Sequence, residues 1–141
     1  MRSSNEIFDF YRETAIFTED DYADFMVIAQ DTNLPEDGAM AVTGLTLALL
    51  ERDWNREKML LLLRVFSCAS SDMIRERIVV GLLLLSLKHN TIIRADLELQ
   101  DIIQEVLTDE PELSFTALCN IARTVQVKYL EKFNQQMAKD I

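Results

Sequence analysis

The chain has 141 residues, 49% hydrophobic and 27% charged, with 24 acidic against 14 basic side chains for a net charge of −10. That length and composition suit one folded domain with its own core, while the charge repels nucleic acid and anionic membrane surfaces and leaves a protein or peptide partner. With only 3 Gly and 2 Pro there is too little turn material for a sandwich or barrel, so the expected fold class is all-α.

In chain order, the first helical pattern covers Ser4 to Glu13 and carries Ile7, Phe8, Phe10 and Tyr11. Thr18 with Asp21 three positions later forms an acidic capping box for the second helix. There Tyr22, Phe25, Met26 and Ala29 fall on one face. Asp31-Thr32-Asn33 breaks it, and Pro35 opens a third helix with Glu36 and Asp37 at its positive end. Ala39 to Leu50 carries no charge, which predicts enclosure on most sides.

A turn at Glu51–Asn55, with Asn55 or Asp53 as cap, leads to a fourth helix reaching about Ser67. Ser71 starts a fifth, running to His89 and ended by Asn90; Thr91 opens a short link. After Arg94, Leu99, Ile102, Ile103, Val106 and Leu107 mark a sixth helix. Thr108 to Pro111 breaks it, and a seventh is expected over residues 112–139, with Leu118, Ile121, Ala122, Val125 and Tyr129 on one face. The uncharged stretch Ile78–Leu87 is far short of the roughly 20 residues a membrane helix needs. Residues 1–6 lack the apolar run of a secretory signal, so a cytoplasmic location is expected.

Val42-Thr43-Gly44-Leu45-Thr46-Leu47 repeats as Val79-Val80-Gly81-Leu82-Leu83-Leu84, an offset of 37 residues. Leu50 and Leu87, Leu60 and Leu97, Leu62 and Leu99 follow in the same register. A glycine inside a helix costs about 1 kcal/mol against alanine, so its recurrence predicts close approach of a neighbouring helix backbone at Gly44 and Gly81. The period lies between the ~34 residues of tetratricopeptide units and the ~40–47 of HEAT units.

The segment Asp72 to Leu85, an acidic turn and basic residues before an apolar helix, resembles the second half of a HEAT-type repeat, and Ala41 to Asn55 is similar to it. The likeness extends over residues 35–107, while the Trp, Gly-Tyr and Pro consensus of tetratricopeptide units is not met. It implies one domain over 1–141 built of stacked antiparallel hairpins, 4–31, 34–69 and 71–108, with a final helix 112–139, in a short superhelix. It also implies a scaffold role, and such arrays occur as segments of larger proteins.

Chemistry is sparse. His89 is the only histidine, which excludes a di-iron set and multi-histidine zinc sites. Cys68 and Cys119 read as small buried hydrophobes with free thiols. The acids Glu19, Asp20, Asp21 and Asp24 suit a first helical turn. The methionines Met26, Met40, Met59 and Met73 read as core filling. No catalytic, metal or cofactor set can be named, so the expectation is a non-enzymatic protein–protein interaction module. Trp54, Arg56 and Arg94 are its candidate partner-binding residues. The alternative is a compact bundle that homodimerises through its apolar first and last helices, with Phe8, Tyr11, Leu130 and Phe133 as candidates and any activity supplied by the partner.

Overall fold

The computed structural model describes residues 2–109, so the expected final helix, with Leu130, Phe133 and Cys119, lies outside the described residues. Within them the chain is helical, with seven helices and no strand. They are α1 (Ser4–Glu13), α2 (Glu19–Gln30), α3 (Pro35–Glu51), α4 (Arg56–Cys68), α5 (Asp72–Lys88), α6 (Asn90–Ala95) and α7 (Leu97–Asp109).

Each start has a local chemical cause. Ser3, Asn55 and Ser71 accept a backbone N–H in the first turns of α1, α4 and α5, satisfying donors that the helix itself leaves open. Thr18 and Asp21 cap α2 reciprocally. Pro35 begins α3. The one unexpected element is α6, where the sequence suggests only a link; it is a short helix entered directly from His89. Asp96 then accepts the Leu99 N–H at 3.1 Å and starts α7.

The helices form two rows. Helices α1, α3 and α5 pack side by side in one, α2, α4 and α7 in the other. Cross-links at both ends fix the direction within the first row. Ser4 bonds Asp37 and Arg12 bonds Glu51, joining α1 and α3 at both their starts and their ends. Arg77, early in α5, bonds the Ala39 carbonyl and Thr43 in the first half of α3, and His89, just past the end of α5, bonds the Leu49 carbonyl near the end of α3. Helices within this row are therefore parallel. In the second row the Ser70 N–H, just past α4, donates to Ala29 near the end of α2. The stack of hairpins thus has α3 at its centre, in contact with α1, α2, α4 and α5, as its uncharged sequence predicts. The first pair departs from a simple hairpin: α1 and α2 each dock on α3 and meet through the rings of Tyr11 and Phe25, 4.9 Å apart edge to face.

The core runs continuously from Tyr11 and Phe25 through Leu45, Leu49, Met59 and Leu62 to Ile78, Leu82 and Leu99, all fully buried. Each such side chain contributes roughly 1.5–3 kcal/mol by leaving water. Tyr11 is thus a core residue and unavailable for self-association, contrary to expectation. Phe8 is half-buried, with its backbone carbonyl against α3 at Gly44. The outer face of α1 is polar instead, with Asn5, Glu6, Asp9 and Glu13 exposed. Met59 fills the core as expected, whereas Met73 is exposed.

Candidate functional site

Two concave sites stand out, and no residue lines both. The larger, about 550 Å³, lies between α3 and α5. Thr43, Thr46, Leu47 and Leu50 face it from α3, a stripe at helical spacing. Met73, Arg77, Val80 and Leu84 face it from α5, with Glu76 and Gly81 beside them. Leu87, 72% exposed, continues the α5 stripe one turn further.

Both threonines turn their hydroxyls back onto their own helix, Thr43 to the Ala39 carbonyl and Thr46 to the Val42 carbonyl, each at 2.8 Å. Their methyl groups and the four leucine and valine side chains leave the groove wall largely apolar. Arg77 reaches across one end, donating to Thr43 Oγ1 at 2.9 Å and the Ala39 carbonyl at 3.2 Å. Along α5 from Met73 to Leu84 the groove extends about 16 Å at 1.5 Å per residue, about three turns of a helical ligand.

The second site, about 430 Å³, lies where α3 ends and α4 begins. Lys58, 4% exposed, enters it from the first turn of α4 and donates to the carbonyls of Thr14 and Ala15, each at 2.9 Å. Its ammonium also stands 4.3 Å from the centre of the Phe17 ring. Burial, with Arg52 nearby, holds the Lys58 pKa below the usual lysine value.

The sequence candidates divide. Trp54 lines this second site, half-buried, with its ring 5.1 Å from that of His89. Arg56 is tied down within the chain: its Nε donates to Asp96 at 2.6 Å and its Nη2 stands 3.6 Å from Glu98. That bond, then the Leu99 N–H, holds the Asp96 carboxyl below the usual carboxylate range. Arg56 therefore clasps the start of α4 to the start of α7. Arg94 is exposed at the end of α6. The three do not converge on one site.

No family model, curated protein or solved structure matches the chain. Among the described residues no cluster of three or more His, Cys, Asp or Glu could hold a metal ion, and no helix is long and apolar enough to cross a membrane.

The groove residues were missed as a site because α5 is apolar almost all round. Without a polar stripe, nothing in the sequence separates an outward Val80 or Leu84 from an inward Ile78 or Leu82. Lys58 gave a weaker signal still, a single cation in a helix's first turn.

Proposed function

We propose that this chain is a non-enzymatic interaction module of the helical-repeat type, and that its α3–α5 groove receives an amphipathic helix from a protein partner. The observation that carries this reading is the groove itself, an apolar channel about 550 Å³ in volume on the outside of the stack, continued by the exposed Leu87. Its length and walls suit the apolar stripe of a helix docked in a groove. A net charge of −10 favours flanking Lys and Arg on that helix, which would steer it in. The repeat assignment rests on the offset of 37 residues between Gly44 and Gly81 and on the matched ties between α1 and α3 and between α3 and α5. We place the activity in the cytoplasm, where free thiols such as Cys68 persist.

The test is fluorescence anisotropy with a labelled amphipathic peptide bearing a Leu stripe and Lys flanks, against a control of the same composition with the stripe scrambled. Saturable binding by the first peptide alone, lost in Val80→Glu and Leu84→Glu with the melting temperature preserved, is the expected result. Equal binding to the Glu variants overturns the assignment of the groove. If light scattering shows a wild-type dimer that those variants convert to a monomer, the occupant is a second copy and the helix partner is wrong.

A further inference from the structure

The cavity at the end of α3 has an electrostatic character at odds with the rest of the molecule. In a chain of net charge −10, two of its three charged lining residues, Arg52 and Lys58, are cations, and Asp53 is the only acid. Lys58 is buried, yet the ion pairs of the described residues leave it without a carboxylate. Two of its three N–H donors go to the carbonyls of Thr14 and Ala15. Carbonyl dipoles and the Phe17 ring solvate the ammonium but do not neutralise it, and an uncompensated buried charge is costly.

The remaining wall is mostly apolar, formed by Trp54, Leu49, Ala48 and Ala15, with one polar residue, Asn55, whose side-chain oxygen is engaged by the Lys58 backbone N–H. A volume of about 430 Å³ lies within the range of small-ligand sites. We propose that this cavity binds a carboxylate carried on a small apolar body, either a free carboxylic acid or the C-terminus of a peptide. The carboxylate accepts from the third N–H of Lys58 and from Arg52, and the apolar body lies along Trp54 and Leu49. A single negative charge matches the net single positive charge of the lining, whereas the field of the whole chain repels polyanions. The depressed Lys58 pKa is consistent with a cation lacking its anion.

Trp54 is the only tryptophan in the chain, so its fluorescence in the intact protein reports the cavity. The probes are hexanoate, its neutral counterpart hexanamide, and a short peptide ending in leucine with a free or amidated C-terminus. Hexanoate, the free-ended peptide, or both should shift the emission saturably, and the neutral counterparts should not. Which of the two anions binds identifies the source of the carboxylate.

Lys58→Met should weaken binding at least about tenfold, as expected for loss of a charge-assisted hydrogen bond. Should that variant fail to fold, the exposed positions decide: Arg52→Gln should weaken binding and Asp53→Asn should tighten it. Equal response to hexanoate and hexanamide, no saturable response to any probe, or indifference of affinity to both exposed substitutions overturns the proposal.

Discussion

The two junctions within the first row are built from the same motif and close differently. At the junction of α1 and α3, a Cβ placed on Gly44 would stand 2.5 Å from the Phe8 backbone carbonyl oxygen. The two helices there meet backbone to backbone. At the junction of α3 and α5, a Cβ on Gly81 would meet the Thr46 side chain, with Cγ2 at 2.9 Å and Oγ1 at 3.0 Å. The expectation of a neighbouring backbone holds at Gly44 and fails at Gly81, where a threonine side chain stands opposite instead. That side chain accompanies the open groove, which both Thr46 and Gly81 line. Each glycine therefore faces the preceding helix of its row, while the residue opposite decides whether the junction seals or stays open.

The sharpest way to break this contrast is Gly44→Ala. Alanine gains about 1 kcal/mol of helix propensity, but the new methyl must push apart two backbones that have no rotamer to yield. Overpacking and loss of the α1 contacts should dominate, for a net destabilisation of about 2–3 kcal/mol in denaturant unfolding. A variant as stable as the parent would show that α1 is not pressed onto α3.

The closed end also hides a titratable group. The Tyr11 hydroxyl is buried with no hydrogen-bond partner among the described residues. Burial first, then Asp24, pushes its pKa up to about 12, with Asp21 adding to the rise and Arg2 opposing it. In the unfolded chain the phenol ionises near pH 10, so below pH 10 it is neutral in both states and stability is unaffected. As pH rises from 10 to 12 the unfolded state ionises first, and stability on the order of 2–3 kcal/mol should be lost. Tyr11→Phe should remove that alkaline loss while leaving neutral-pH stability unchanged or higher, because it deletes an unpartnered hydroxyl. An identical alkaline profile in the variant would show that another group governs the transition.

Much of this was legible in the sequence where local chemistry decides. Ser4 to Glu13, the Thr18–Asp21 box, Pro35 and Ser71 mark helix ends by capping and dipole effects confined to one turn. The enclosure of α3 followed from its lack of charge. What failed depended on three-dimensional placement. The aromatic cluster of α1 read as an unfinished surface, but Tyr11 is consumed by Phe17 and Phe25 from a loop and a second helix. Arg56 read as a free anchor because Asp96, 40 positions away, carries no local sign that it will cap α7 and pair across the rows. Trp54 stands in the connection between α3 and α4 that the sequence predicts, but the buried lysine near it has no sequence signature.

The groove side yields the smaller effects. Leu84→Ser removes a half-buried side chain from the outer face of α5, so it should cost about 1 kcal/mol or less, against the 2–5 kcal/mol usual for truncating a fully buried leucine such as Leu82. The smallest effect should come from Gly81→Ala. Its methyl meets only the Thr46 side chain, and threonine has two accessible rotamers in a helix; turning it breaks the hydroxyl's bond to Val42. That loss and the alanine propensity gain are each about 1 kcal/mol and opposite in sign. The net change should fall within about 1 kcal/mol of zero. Combining it with Thr46→Ala removes the obstructing atoms, so the pair should be less destabilising than the sum of the single changes. Strict additivity in that cycle, measured by denaturant unfolding, would mean that Thr46 does not set the spacing of α3 and α5, and the open groove would need another cause.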